Sequence, residues 1–278
     1  NLDCCNKLDM TPDKYPEAFE AARHIWSHWQ AGEVMNELPN NCRPKIASEG
    51  YDVQSYLPLV SGRSVLGWKI AATSAVGQSH IQVSGPLAGR LLSGQVFENG
   101  YGVSLTGNRM RVVEPEFAFI IGNDLPPRDV AYSQKEVLSA IESLHPALEI
   151  PDSRFVAFAE AGEAQLIADN ACARHFVLGP AAPNNWREVE LSRHPVEGSV
   201  TGAGGKSWSR LGSGAAVLGD PLIAMTWLAN RLSALGHELE AGQVVTTGTC
   251  MPPLEVSVGD AVIAQYGKFG VVRVSLLE

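Results

Sequence analysis

Val112-Val113-Glu114-Pro115-Glu116-Phe117-Ala118-Phe119-Ile120 is the stretch on which the fold turns. Its β-branched and aromatic residues read as a strand, in which successive side chains point to opposite faces. Glu114 and Glu116 therefore share one face, and Phe117, Phe119 and Ile121 share the other, against a core. Two carboxylates about 7 Å apart along one strand, in so apolar a run, are costly unless something compensates them. A divalent cation would do so; a solvated sheet edge is the other way to place them. Pro115 lacks a ladder donor and marks an edge or an irregularity.

Working outward, a third carboxylate stands in similar surroundings, Ala147-Leu148-Glu149-Ile150-Pro151. Three carboxylates completed by water suit an octahedral hard cation such as Mg²⁺ or Mn²⁺. Lys69 interrupts a further apolar run, Val65 to Ala72. A half-buried lysine can orient a carboxylate or move a proton; it can equally snorkel from a strand end.

The rest of the chain supplies the frame. Short apolar runs at 65–70, 111–121, 147–150, 172–178, 189–191, 244–247, 260–264 and 271–276 predict strands. Helical spacing predicts helices over 15–31, 49–59, 133–143 and 220–235, the last with Asp220 as N-cap and Pro221 at its first position. Residues 1–61 read as a helical cap and residues 62–278 as a β-rich catalytic body. The class is α+β with a mixed or antiparallel sheet, because the helix–strand alternation of a doubly wound fold is missing.

The 278 residues carry a net charge of -9, with no offsetting basic run, which argues against a nucleic-acid partner. No apolar run is long enough for a membrane span, and residues 1–16 lack the apolar core of a signal peptide. Five cysteines without C-x-x-C spacing argue against a disulfide framework or a zinc site and point to a reducing cytoplasm. Gly202-Ala203-Gly204-Gly205-Lys206-Ser207 mimics a phosphate loop, but Val200 stands where its first glycine belongs; a loop or hairpin turn fits better. Gly212-Ser213-Gly214 is not a nucleophile elbow, since Leu211 occupies the first glycine position. His24 and His28 read as an exposed helix face, and Trp26 and Trp29 as core packing.

Six short motifs follow one another in a telling order. They are Gly67-Trp68-Lys69-Ile70-Ala71-Ala72-Thr73-Ser74, Glu114-Pro115-Glu116, Leu144-His145-Pro146-Ala147-Leu148-Glu149, Ala168-Asp169-Asn170-Ala171, Leu218-Gly219-Asp220-Pro221 and Thr246-Thr247-Gly248-Thr249. The series resembles the 2-keto-4-pentenoate hydratase and 2-oxo-3-hexenedioate decarboxylase family of the fumarylacetoacetate hydrolase superfamily, over nearly the whole chain. The resemblance implies a mixed β-sandwich or roll with flanking helices and an N-terminal helical cap. It implies Mg²⁺ or Mn²⁺ on Glu114, Glu116 and Glu149, with Lys69 beside a small anionic 2-oxo acid. Thr73, Ser74, Leu87, Ala88 and the Thr247-Gly248-Thr249 turn would then line the substrate pocket, with Arg154 and Arg111 as the nearest further cations. A homo-oligomeric lyase of aromatic catabolism, led by the hydratase activity, is the expectation.

One departure is visible. Hydratases of the family carry an acid in a Pro-Asp-aromatic-Gly stretch, and the matching Gly85-Pro86-Leu87-Ala88-Gly89 has Leu87 in its place. Water addition is thereby placed in question, which keeps a decarboxylase, tautomerase or C–C hydrolase open, and beyond them an idle ligand-binding relative. His145, an even four residues before Glu149, would face the site or serve as a strand-junction residue; a hydrolase would want His80 or His145 as its base.

Overall fold

A computed structural model describes residues 11–278. Cys4 and Cys5 lie outside the described residues, and Cys42, Cys172 and Cys250 are free thiols. The first helix, α1 (Pro16–Ala31), opens with proline in its first turn and stops at Gly32 in the left-handed conformation. It buries Ala21, Ala22, Ile25 and Trp29, four residues at helical spacing. The helix expected over 49–59 forms as two, α2 (Ala47–Ser55) and α3 (Leu57–Ser61). Pro58 has no N–H to continue the first ladder into the second.

The body then runs β1 (Val65–Ala71), α4 (Ala75–His80), β2 (Leu87–Leu92), β3 (Val96–Glu98), β4 (Gly102–Ser104) and β5 (Val112–Ile121). Next come α5 (Gln134–Ala140), β6 (Ile141–Ile150), α6 (Glu163–Ala168), β7 (His175–Leu178), β8 (Pro195–Thr201) and β9 (Ser207–Ser213). The chain closes with α7 (Pro221–Ala234), β10 (Val244–Thr249), β11 (Leu254–Glu255), β12 (Ala261–Gln265) and β13 (Val271–Leu277). Strands β2-β1-β10-β5-β6-β7-β3 form one sheet in that order, with β11 added alongside β5, and β4-β13-β12-β8-β9 form a second. Both are mixed: β1/β10, β3/β7 and β4/β13 are parallel and the remaining pairs antiparallel. The expected α+β class with curled mixed sheets holds.

The alternation of β5 sorts the two faces as its sequence demands. Val113, Phe117, Phe119 and Ile121 are fully buried in the main core, where β12 and β13 pack against β6. Ala118 instead joins Leu91, Ala147, Phe176 and Val244 on the opposite face. Helices α1 to α3 build their own apolar cluster but share it with Phe155 and Ala168 of the body. Asp220 caps α7 by accepting from the Leu222 N–H, as expected. No helix among the described residues is long and apolar enough to cross a membrane.

Several expected elements differ. The helix placed over 133–143 ends at Ala140, and β6 begins at Ile141, ten residues long rather than four. Pairing decides this: Ile141 and Ser143 sit opposite Ile121 and Ile120 of β5, and the ladder overrides local helical spacing. Residues 189–191 form no strand: Val189 and Glu190 link two 3₁₀ turns, and Leu191 opens the second. The run expected at 172–178 starts as a strand only at His175, because Asn170, Ala171 and Cys172 all have positive φ. Unforeseen are β2, β8 and β9, while the glycine-rich stretch 202–206 is a hairpin turn, one of the two expected forms, joining β8 to β9.

Candidate active site

Four adjacent strands place the acidic cluster. In the β5–β6 register Glu114 lies directly opposite Glu149, and Glu116 is two residues along the same face. Carboxylate oxygens of all three lie within 4.8 Å of one another. On the other side of β5, the β10 register slips between Thr246 and Thr249, so Thr247 and Gly248 form a bulge. The bulge releases the Gly248 N–H from the ladder, and it donates to Glu116 Oε2 at 2.8 Å. The Thr246 hydroxyl donates to the same oxygen. Gly248 is required here: its φ is 106°, and a Cβ would collide with the Thr73 side chain. Pro115 thus marks no edge. β5 is central, and the irregularity signalled by its missing donor lies in β10.

Lys69 stands on β1 opposite Thr246. Its Nζ is 3.1 Å from Glu149 Oε1 and donates to the Ala171 carbonyl at 2.9 Å. That carbonyl is presented by the left-handed turn 170–172. The turn is pinned by Asn170, whose side chain accepts from the Arg90 N–H and donates to the Arg90 carbonyl.

Charge within the cluster is unbalanced. Three carboxylates face one ammonium: Oε1 of fully buried Glu149 meets only Lys69, at 3.1 Å, and its Oε2 has no hydrogen-bond partner. Burial raises the Glu149 carboxyl well above its ordinary range, against the pull of Lys69, and raises Glu114 also. Glu116 is pushed up to about 7 by burial and by Glu114, although Thr246 and Gly248 oppose this. Burial would lower the Lys69 ammonium, but Glu149 and then Glu114 outweigh it and hold the lysine protonated. Three converging carboxylates with too few donors, all of oxygen chemistry, fit a hard divalent cation. The residues present therefore suit Mg²⁺, Mn²⁺ or a similar ion.

A cavity of about 760 Å³ opens over this cluster, lined among others by Lys69, Glu114, Glu116, Thr73, Ser74, Leu87, Gly248 and Thr249. Four expected site residues are elsewhere. His145 is on the carboxylate face, but four residues of strand put it roughly 13 Å from Glu149. There it bonds Ser143 and the Gly179 carbonyl, and burial keeps its pKa low. Arg154 pairs with Asp152, reaches the carbonyls of Glu33 and Gly107, and lies over Trp29. Ala88 faces away, next to Leu87 in a strand where neighbours alternate; its N–H and carbonyl are engaged by Tyr51 and Gln54. The Thr247 hydroxyl turns back to the Phe117 carbonyl.

Other lining residues were missed or set aside. Gly212 and Ser213, dismissed as a nucleophile elbow, line the cavity from the end of β9, as do Cys172 and the 250–253 segment. His80, weighed only as a hydrolase base, stands exposed at the rim beside Phe158. No spacing signal marks these residues, since four separate segments bring them together.

Residues 96–276 match the sequence profile of the fumarylacetoacetate (FAA) hydrolase C-terminal family. The chain belongs to that family. It is 33% identical over 267 residues to 2-keto-4-pentenoate hydratase of Paraburkholderia xenovorans (strain LB400), covering 95% of each chain. It is 34% identical over 243 residues to 2-hydroxyhexa-2,4-dienoate hydratase of Comamonas testosteroni, covering 86% of this chain and 89% of the relative. Its fold matches 4-oxalocrotonate decarboxylase from Pseudomonas putida G7, solved with magnesium and adipate, with a TM-score of 0.83 and 25% identity over 96% and 99% of the two chains. Family membership and the mixed-sheet fold thus agree with the resemblance carried by the motifs. These relatives are hydratases and a decarboxylase, all lyases.

Proposed function

We propose that this protein is a divalent-metal-dependent lyase acting on a small 2-oxo acid, with hydration of an enolisable 2-oxo acid as its leading activity. One observation carries the reading: Glu149, wholly buried, has one carboxylate oxygen against Lys69 and the other without a partner, converging with Glu114 and Glu116. Glu114, Glu116 and Glu149 would hold the cation, Mg²⁺ or Mn²⁺ by their hard oxygen donors. Bound there, the ion would polarise the 2-oxo group and stabilise negative charge developing on it.

The chain's own residues do the rest. Lys69, fixed between Glu149 and the Ala171 carbonyl, supplies the positive charge an anionic substrate needs above three acids. Because it is held protonated, it can donate to a substrate oxygen and receive the proton back. The Thr246 hydroxyl and Gly248 N–H orient Glu116. Thr73, Ser74 and Thr249 offer hydroxyls along the cavity wall. In the same reading, residues 1–61 are a cap on a catalytic body of residues 62–278, and the enzyme is a cytoplasmic homo-oligomer.

Decarboxylation is a second reading, favoured by Leu87. This side chain lines the cavity where an acid was expected, and among the described residues the remaining wall offers only Cys172, Cys250 and rim-exposed His80 as titratable groups outside the Lys69–glutamate cluster. Loss of CO₂ needs charge stabilisation but no group to activate water. A panel of 2-oxo acids incubated with and without Mg²⁺, followed for both enone absorbance and CO₂ release, separates the two. Turnover of none of them with metal present would end both readings.

A further inference from the structure

The lining of the cavity is of two chemical kinds. One comprises Lys69, Glu114, Glu116, Thr73 and Gly248. Most of the rest is hydrocarbon and thioether, Ile81, Leu87, Phe158, Leu166, Met110 and Met251, with His80 exposed at the rim beside Phe158. Among the described residues lining the cavity, Lys69 is the sole lysine or arginine, and Glu149 with the Ala171 carbonyl already fixes it. Nearby cations are committed elsewhere. Arg90 donates to Gln54 and lies over Trp68, Arg154 pairs with Asp152, and Arg111 is exposed with its Nε on the Asn108 carbonyl.

A second carboxylate at the far end of a substrate would lose its water and meet no further lysine or arginine, only the exposed rim imidazole of His80, inside a protein of net charge -9. An alkyl or aryl tail would instead bury apolar surface against apolar walls. Size points the same way. About 760 Å³ falls within the roughly 300–1,000 Å³ that encloses drug-sized ligands, far more than a five-carbon acid fills. Val76 and Leu211, both lining the mouth, are 81% and 76% exposed, so the way in is apolar as well.

We propose that the substrate is a 2-oxo acid with a single carboxylate, at its 2-oxo end, and a bulky uncharged apolar tail lying along the Ile81–Leu87–Phe158–Leu166 wall. This rests on the 2-oxo acid reading above and narrows it, selecting against dicarboxylates.

Calorimetric titration of the Mg²⁺-loaded protein tests it with four stable probes. Oxalate reaches only the Lys69 end. 2-Oxohexanoate and 2-oxoadipate have six carbons each and differ in ending on a methyl or a carboxylate. 2-Oxo-4-phenylbutanoate adds bulk. The expected result is 2-oxohexanoate binding at least about tenfold tighter than 2-oxoadipate, the scale of one buried charge left unpaired. The phenyl compound should bind at least as tightly as 2-oxohexanoate. Equal or tighter binding of 2-oxoadipate, with oxalate still bound, overturns the tail assignment alone. Failure of oxalate itself to bind with Mg²⁺ overturns the underlying reading, and this inference with it. As a second arm, Met110→Arg and Leu211→Arg, at incompletely buried wall positions, should each narrow the gap by strengthening 2-oxoadipate. A gap unmoved by both overturns the placement of the tail.

Discussion

Two buried charge clusters lie within a short reach of each other and have opposite characters. Around Asp169 the donors are in place: Trp29 Nε1 at 3.0 Å, the Ser153 hydroxyl at 2.6 Å and the Arg154 N–H at 2.8 Å. Arg154 is paired with Asp152, and only its Nε is left without a partner. Around Glu149 the balance stays open, with one bare oxygen and three acids to one lysine. A satisfied buried network rigidifies, whereas an unsatisfied one marks where something must bind. The turn 169–172 joins them: Asp169 and Asn170 anchor it to the closed cluster and to β2, and Ala171 hands its carbonyl to Lys69 in the open one. Three successive non-glycine residues at positive φ, each costing on the order of 1–3 kcal/mol, fit a segment held in place for the site.

The difference can be broken at the open cluster with the largest effect. Glu114→Gln should weaken Mg²⁺ binding by more than the roughly 100-fold typical of losing a supporting residue, with activity falling at least as far. Because it removes excess negative charge, the same change should raise the metal-free Tm by a few degrees, a gain of about 1 kcal/mol. Calorimetry with Mg²⁺ and thermal melts in chelator check both halves. A lower metal-free Tm would mean that the cluster is already balanced.

Lys69→Met should keep fold and metal binding but lose activity by about 10²-fold or more, the usual scale for a positioned proton-transfer group. Part of the loss should appear as a higher KM, since a charge-assisted contact goes too. Steady-state kinetics equal to the parent would make the lysine purely structural.

At the closed cluster, pH is the probe. Burial raises Asp169 from 3.8 to about 6, against the pull of Ser153, Arg154 and Trp29. The native chain therefore holds this proton longer than the unfolded chain does. The stability it lends is full below about pH 4 and is lost as pH rises towards 6, by something on the order of 2–3 kcal/mol. Denaturant titrations between pH 4 and 7 should show that slope in the parent and a flatter one in Asp169→Asn. An identical slope would assign the titration to another group.

The smallest effect is expected at His145. His145→Gln should change kcat less than about threefold while costing about 1 kcal/mol, the worth of its bond to the Gly179 carbonyl. A hundredfold loss would return the histidine to the reaction.

The sequence alone established what depends on spacing within one element. The period of two in β5 put Glu114 and Glu116 on one face and Phe117, Phe119 and Ile121 on the other. The apolar surroundings of Lys69 and Glu149 announced charges that need partners. Ordered motifs extended this to a family and a fold. What only the tertiary structure decided is how those local phases are set against each other. Leu87 faces the cavity and Ala88 does not, because the β1–β2 register fixes a parity that a six-residue strand buried throughout leaves undetermined. The bulge between Thr246 and Thr249 sends the Thr247 hydroxyl one way and the Gly248 N–H the other. His145 shares its face with Glu149 but lies too far along the strand, and Arg154 is captured by Asp152 and Trp29. Each outcome hangs on a partner distant in sequence or on a register, and pairing across a sheet is a property of two strands at once, which the spacing within either one cannot contain.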